Sequence, residues 1–526
     1  MNRHFPFFII ILFAIGCTGS QQKDSETIAN NDVIEISYDT LLDKVRGGLL
    51  GQIIGNLNGL PHEFKYDSIP GDVTDYIPAL PNGAFTDDDT DIEWTYINHM
   101  QRNNELFLSA DQLTEIWKTS FNSRIWCSSG YVRQLMNIGI KPPFTGKMAL
   151  NPWGEFNISG QFICETFGLI CPAMPQTAAK LGLNYTTVTI GAEPAQTTQL
   201  FTTMIAMSYI EKDINKLIDA GYAALDPDSK VRTIINDIKK WHSEYPDDWR
   251  KTRQLLREKY TQANGSRRDN NGYELITGAS IAAMLYGNGD FIQTIQTGFN
   301  YGWDCDNVTA TMGTIIGTQM GYKEMMSQGW IIVDRYKNTT RDGMPLNETI
   351  TSFADRIISN MEQMIIEKGG KRIKRDGKYY FLIHKEDPAN VQVLPELKDQ
   401  ITSLAKVFKP EIENGINNPN SKEDQARAVY LAVCLDMAYD MASEHPGRWK
   451  EAVTVFDECW KLKQVLFHDN DGDFPSIKRL QQKFISAGIN APEKEIDIVI
   501  VWQEKKIFLP EEEALMLNID NYKSPW

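Results

Sequence analysis

Glycine recurs at every fourth residue in two distant places, Gly47, Gly51, Gly55 and Gly59, and again Gly313, Gly317 and Gly321. On a helix, residues i and i+4 share a face, so each series makes a bare stripe. A glycine inside a helix costs ~1 kcal/mol relative to alanine. Repeating that cost needs compensation, most simply a second helix packed very close. Thr309–Met320 is otherwise a run of apolar and small residues, which favours a helix for the second series. Glycine-rich loops are the alternative for the first. Other segments agree with an all-α body. Ser421-x-x-Asp424 opens a helix carrying Ala426, Val429, Tyr430, Val433 and Met437. Pro446-Gly447 ends it, and Trp449–Phe467 reads as its antiparallel neighbour. Asp111 to Phe121 is a shorter amphipathic piece. Strand candidates are few, and no fixed-period repeat points to a solenoid.

The chain has 526 residues, enough for several domains and a large core. Its formal charge of −16 disfavours binding to nucleic-acid phosphates and to anionic membrane surfaces. Seven cysteines are too few for a disulfide-scaffolded fold, and seven histidines show no zinc-type spacing. The first residues read as an address. Arg3 precedes an apolar stretch, Phe5–Ile15, too short to span a bilayer but suited to a signal peptide. It ends Ala14-Ile15-Gly16-Cys17, similar to a bacterial lipobox in which the cysteine is acylated. The expectation is a signal peptide over 1–16, lipid on Cys17 and a polar tether over 17–38. That makes an exported, membrane-anchored lipoprotein, periplasmic or at the cell surface, held by its N-terminal lipid only. An ordinary signal peptide with a chance cysteine is the alternative. Six cysteines then remain, and the sequence assigns them no pairing.

A domain boundary is expected near residue 366. Lys368–Lys378 holds six basic residues and three glycines. It reads as a solvated linker, or as a hairpin turning at Asp376-Gly377 ahead of Tyr379–Ile383, rather than as an anion-binding patch. Residues 39–365 would form the main domain, folding without the rest, and 366–526 a smaller, mainly helical unit of unassigned role. Asn264–Gly272, rich in Asn, Gly and Arg, is expected to be exposed.

The chemistry concentrates in acids. In Phe85-Thr86-Asp87-Asp88-Asp89-Thr90-Asp91-Ile92-Glu93, five of the seven residues from Asp87 to Glu93 are acidic, and Ile92, Tyr96, Ile97 and Met100 continue as a helix face. One or two acids would suffice to cap a helix and complement its dipole. Three consecutive aspartates repel one another, and a bound cation resolves the repulsion. Carboxylates select hard ions such as Mg²⁺, Mn²⁺ or Ca²⁺. A second cluster, Gly302-Trp303-Asp304-Cys305-Asp306-Asn307, leads into the second glycine series. Asp304 and Asp306 can converge on one ion, Asn307 adds a neutral oxygen, and Cys305 reads as a spacer. Two acidic clusters that each lead into a helix are what a dinuclear oxygen-ligand site requires. Asp469-Asn470-Asp471-Gly472-Asp473 imitates a calcium loop, but Phe474 and Leu480 occupy the positions that need Gly and Glu, so it reads as a polar turn.

Together, Gly51-x-x-x-Gly55-Asn56-x-x-Gly59-x-x-x-Glu63, Asp88-Asp89-Thr90 and Gly302-Trp303-Asp304-x-Asp306 resemble, in order and spacing, the signature segments of the ADP-ribosylglycohydrolase family. Ile158-Ser159-Gly160-Gln161 with Glu165 and Gly168, and Ala279–Asp290, are similar to bacterial members. The likeness covers roughly residues 39–365. It implies an all-α domain with a two-ion Mg²⁺ centre, Mn²⁺ being an alternative, between two signature helices. The ligands it implies are Asp87, Asp88, Asp89, Asp304 and Asp306. Glu63 matches a carboxylate placed over the substrate ribose. Glu63, Asp88 and Asp304 are the expected catalytic residues, and Asn56, Gln161 and Trp303 the expected substrate contacts. Three positions depart from the pattern: Asn56 stands where the family usually has Asp, and Asp87 and Asn307 where Thr is usual. No His-containing segment occurs near Gly191–Gln196.

The activity so implied is divalent-metal-dependent hydrolysis of a glycosidic bond, to ribose first of all, in a small-molecule or conjugated substrate. Metals would hold ribose hydroxyls and acidify a bound water, and Glu63 or a ligand Asp would orient or deprotonate it. An exported glycosidase or nucleoside hydrolase on the same fold is the alternative within this class. A non-catalytic glycan-binding lipoprotein leaves the acidic clusters without a reason. A terpene-synthase-type enzyme fits Asp87-Asp88-x-x-Asp91 but not the Gly302–Asn307 partner.

Overall fold

The computed structural model describes residues 32–261, 271–468, 474–497 and 501. Cys17 and the Asp469–Asp473 turn lie outside them, as does most of the Asn264–Gly272 loop.

The two glycine series meet. Helices Tyr38–Gly59 and Cys305–Met320 pack antiparallel at the centre of an all-α body. A Cβ on Gly51 would fall 2.0 Å from the carbonyl oxygen of Gly313, and one on Gly55 2.0 Å from that of Thr309. At the far end a Cβ on Gly47 would lie 2.4 Å from the Gly317 oxygen. Backbone meets backbone along the whole stripe, a spacing no side chain permits. Gly321 closes it, its Cα 2.7 Å from where a Cβ on Gly47 would lie. It ends its helix with φ +81°, a conformation that favours glycine.

Other helices sheathe this pair. Asp88–Asn103 and Ile350–Glu367 pack together on one flank, and Ala192–Met207, Tyr273–Gly287 and Phe291–Tyr301 lie on the others. Three small sheets staple loops onto the bundle. Val33–Ser37, Lys378–His384 and Lys371–Arg375 form an antiparallel sheet with the Lys378 strand in the middle. Ala79–Leu80 pairs in parallel with Ile331–Ile332, and Ala84–Phe85 with Tyr336–Lys337. Among the described residues no helix is long and apolar enough to cross a membrane, and no disulfide joins two described cysteines.

The chain beyond residue 366 is tied to the main domain. The basic segment is a hairpin turning at Asp376 and Gly377, both at positive φ, and it pairs with the first strand of the main domain. Residues beyond it run back over the bundle. The Glu386 carboxylate accepts from the amide and hydroxyl of Thr177 (2.8 and 2.6 Å), and Asp226 Oδ2 accepts from the amide of Leu394 (3.0 Å). A second core begins only with helix Leu397–Asn417. It is shared: Tyr131, Leu135, Trp153 and Phe156 of the main domain pack into it beside Val429, Phe456 and Phe484. The Tyr131 and Tyr430 hydroxyls hydrogen-bond at 2.7 Å, and Ser476 Oγ donates to Pro152 O (2.8 Å). Charge on an exposed strand looks like a linker in sequence, and apolar residues do not announce which core they join.

Within this region Ser421 caps helix Lys422–Cys434, accepting from the Asp424 amide (3.1 Å). That helix stops at Leu435, before Asp436 at φ +61°, rather than at Pro446. The expected partner Trp449–Phe467 is two helices, Pro446–Phe456 and Trp460–His468.

Candidate metal centre

Three chain segments bring acids to one end of the glycine-striped pair. The first is the end of helix Tyr38–Gly59, carrying Asn56, and the turn Leu60–His62 that leads to Glu63. The second is the start of helix Asp88–Asn103. The loop before that helix is fixed from outside, with the Thr86 amide donating to Lys337 O (2.9 Å) and the Thr339 amide to Thr86 Oγ1 (2.7 Å). The third is the loop ahead of helix Cys305–Met320. Gly302 (φ +73°) and Trp303 (φ +58°) turn it sharply, and a Cβ on Gly302 would lie 2.3 Å from Tyr66 O. The Phe64 amide donates to Trp303 O (2.8 Å), tying the Glu63 loop to the Asp304 loop.

The result is two carboxylate triads with one common member. Oxygens of Glu63, Asp304 and Asp306 lie within 4.8 Å of one another, and so do those of Asp87, Asp89 and Asp306. Asp89, Asp304 and Asp306 are buried, and Glu63 and Asp87 are half-buried. Asp88 is half-buried and belongs to neither triad. Asp87 is the N-cap residue of its helix.

Burial raises every one of the five aspartates at the two clusters' heads. Asp88, Asp89 and Asp304 are pushed well above the usual carboxylate range, first by desolvation and then by neighbouring aspartates. Asp87 is raised by burial, against the pull of Asn56. Asp306 is pushed up to about 7 by burial and by Asp87. Like charges this close retain protons unless a cation replaces them. The donor set is all oxygen, which suits Mg²⁺, Mn²⁺ or Ca²⁺. A further observation favours an ion: Asn56 Oδ1, Asp306 Oδ1 and Asn307 Oδ1 are buried without a hydrogen-bond partner, a condition native proteins avoid. The residues present therefore fit a divalent cation.

Not every acid of the run takes part. Asp91 forms a buried ion pair with Arg341 (2.8 Å) and accepts from Thr340 Oγ1 (2.5 Å). Glu93 lies one turn further along the same helix face as Asp89 and accepts from Gln52 Nε2 (2.7 Å) instead. Cys305 is buried, its Sγ 3.8 Å from Gly59 O, and it enters neither triad.

The expected substrate contacts are placed differently. Asn56 stands among the carboxylates, with Nδ2 at 2.9 Å from Asp87 Oδ2, 3.3 Å from Asp89 Oδ2 and 3.4 Å from Asp306 Oδ2. It is a member of the centre. Gln161 is buried behind the centre and donates to Ser280 Oγ (3.0 Å) and Thr311 Oγ1 (3.1 Å). Trp303 is 1% exposed, with the Arg253 guanidinium 4.5 Å above its ring. Both hold the scaffold.

Two supporting residues escape the sequence reading. Asn271 Nδ2 donates to Asp304 Oδ2 (2.6 Å) and its Oδ1 accepts from Asn157 (3.0 Å). Its neighbour Gly272 is buried, unlike the exposed loop expected there. Arg253 donates to the carbonyls of Tyr301 (2.7 Å) and Asp67 (3.1 Å), and also to that of Tyr66, clamping the loops of Glu63 and Asp304 together. Asn271 had a weak signal in its Asn-rich stretch, and Arg253 had none.

The sequence profile of the ADP-ribosylglycohydrolase family matches residues 37–364, well over half of the chain. No curated protein matches the chain.

Proposed function

The chain belongs to the ADP-ribosylglycohydrolase family, and from that premise we propose that it is a divalent-metal-dependent hydrolase of the glycosidic bond to a ribose. Family membership supports a glycosyl hydrolase in general terms. The metal and the ribosyl substrate are our reading. The observation that carries it is the pair of carboxylate triads meeting at Asp306. Two Mg²⁺ ions, or Mn²⁺, would be held by Asp87, Asp89, Asp304, Asp306 and Glu63, with Asn56 and Asn307 supplying neutral oxygens. When bound, the ions would polarise ribose hydroxyls and lower the pKa of water.

The chain's own residues do the rest. Glu63 lies half-buried on a turn locked to the Asp304 loop, a fixed carboxylate at the mouth of the centre. Asp88 is near enough to Glu63 to feel its charge. In this reading Asp88, which belongs to neither triad, and Glu63, a member of one, would take a proton from an attacking water and return one to the leaving group. Burial of Asp89, Asp304 and Asp306 excludes bulk water beneath the reacting sugar. Asn56, between three carboxylates, holds them at fixed spacing.

The test is release of reducing sugar from ADP-ribosylated peptide, nucleoside and aryl-glycoside substrates, with Mg²⁺ or Mn²⁺ present or chelated. Metal-dependent release of ADP-ribose is expected. Turnover of nucleosides or aryl glycosides alone would move the reading to another substrate on the same centre, and no turnover of any would remove the hydrolase. We also propose that the protein is an exported lipoprotein acylated at Cys17. An unprocessed Met1 terminus in mass spectra of membrane-extracted protein would defeat that.

A further inference from the structure

The chain is acidic overall, yet its surface is strongly polarised. Between residues 368 and 385 there are seven basic side chains and one acidic one. Five of the seven fall on the sheet formed by Val33–Ser37, Lys378–His384 and Lys371–Arg375, and two of those, Arg372 and Lys374, are in register with Phe381 and Tyr379 on its other face. Side chains alternate across a strand. Phe381 and Ile383 are buried in the main core, so Tyr380, Leu382 and His384 face away from it. The register places Lys371, Arg375 and Lys378 on that same outer face. The lysines, Arg375 and His384 are exposed, and Tyr380 and Leu382 are half-buried between them. Arg375 is engaged by Glu35 (2.7 Å). Lys368 adds a further exposed charge at the base of the hairpin.

Lysine on an edge strand protects a sheet from pairing with others. That accounts for Lys371 on the outer strand. It does not account for Lys378, Tyr380 and His384, which stand on the middle strand. A basic face interleaved with an aromatic and an aliphatic side chain fits an anionic lipid surface. Chain geometry leads to the same face. The sheet's first strand begins at Val33, sixteen residues after Cys17. Such a segment reaches at most roughly 55 Å, so an acyl group on Cys17 would leave this sheet within reach of a bilayer. The strand runs directly into helix Tyr38–Gly59, and Asn56 lies nineteen residues beyond Ser37. At 1.5 Å per residue the carboxylate centre is about 28 Å away, at the opposite end of the helix.

We propose that the outer face of this sheet docks on anionic lipid headgroups and holds the carboxylate centre turned away from the membrane. The contact adds to any lipid anchor and is independent of it. The test uses the full chain with Cys17→Ser, so that no acyl group is attached. Binding is measured to vesicles of phosphatidylcholine and to vesicles containing equimolar phosphatidylglycerol. Phosphatidylglycerol-dependent binding that weakens in high salt is expected. Lys368→Gln/Lys371→Gln/Lys378→Gln should lower the affinity about a hundredfold, about fivefold for each charge lost. The matched variant Lys216→Gln/Lys240→Gln/Lys450→Gln, exposed lysines elsewhere, should leave it nearly unchanged. Circular dichroism of both variants should match the parent. Equal binding to both vesicles, full binding by the first variant, or equal losses in the two variants would each overturn the proposal.

Discussion

Two clusters of buried carboxylates lie on the same helix, Asp88–Asn103, and they are built oppositely. At its start, Asp87 and Asp89 meet Asp304, Asp306 and Glu63. One turn further on, Glu93 meets Glu165, both fully buried. In both clusters burial and like charge raise the carboxyls, Glu93 well above its usual range and Glu165 to about 7. The difference lies in the donors. Each oxygen of the glutamate pair is met by the protein. Gln52 Nε2 and the Thr166 amide donate to Glu93 (2.7 and 3.0 Å), and Thr311 Oγ1 and the Cys164 amide donate to Glu165 (2.6 and 3.2 Å). In the aspartate cluster the Asn56 amide is spread over three carboxylates, Asn271 and Asn307 reach Asp304 and Asp89 (2.6 and 3.5 Å), and Asp306 Oδ1 has no partner. Acid crowding alone is therefore not a metal site. Every oxygen of the glutamate pair has a protein donor, whereas the aspartate cluster leaves Asp306 Oδ1 unmet.

The largest effect should come from Asp306, which both triads share. Asp306→Ala should abolish tight Mg²⁺ binding in calorimetry and lower metal-dependent turnover roughly a thousandfold, about 4 kcal/mol. Glu93→Gln should leave Mg²⁺ affinity within about threefold. If Glu93→Gln weakened Mg²⁺ as much as Asp306→Ala, the two clusters would be one site and the distinction would fail.

The glycine stripe offers a sharper cut, because it spans both ends of the helix pair. Gly47→Ala and Gly55→Ala each force a Cβ into opposing backbone, and each should lower stability by about 2–3 kcal/mol in urea unfolding. Only Gly55→Ala lies beside the carboxylates, so only it should also weaken Mg²⁺ binding. Equal loss of metal affinity in both would mean that the stripe sets the centre only through global stability.

The smallest expected effect is in pH. Asp306 at about 7 lies above its ordinary value of 3.8. The folded state then binds the extra proton, so the stability this group contributes is present in acid and is lost as pH rises from about 4 through about 7. Metal-free protein should lose on the order of 1–2 kcal/mol between about pH 5.5 and 8. Saturating Mg²⁺ should remove most of that slope. The remainder belongs to the glutamate pair and should persist with Mg²⁺. An unchanged slope after Mg²⁺ addition would show that the aspartates do not exchange protons for metal.

These comparisons also mark what was legible beforehand. Asp87, Asp89, Asp304 and Asp306 were visible because consecutive or alternate aspartates repel and few folds tolerate them without a partner. Glu93 was grouped with them, since a sequence count cannot tell that a residue one turn further along the same face meets its own donors, Gln52 and Thr166. Gln161 and Trp303 belong to matching segments yet turn inward. Asn271 and Arg253 act on the centre across 33 and roughly 50 residues of intervening chain, where local pattern carries no information.

By itself the sequence determined the helical body, the close approach of two helices through their glycines, and the identity of the crowded acids. Each of these follows from local periodicity or from residues adjacent in the chain. Only the tertiary structure decided that Asp306 is common to two triads, that Asn56 sits between carboxylates, and that the basic hairpin closes a sheet with the first strand. It also decided that the C-terminal helices share a core with the main domain. These are contacts between segments tens to hundreds of residues apart, set by which surfaces pack together, and no local pattern of residues encodes that choice.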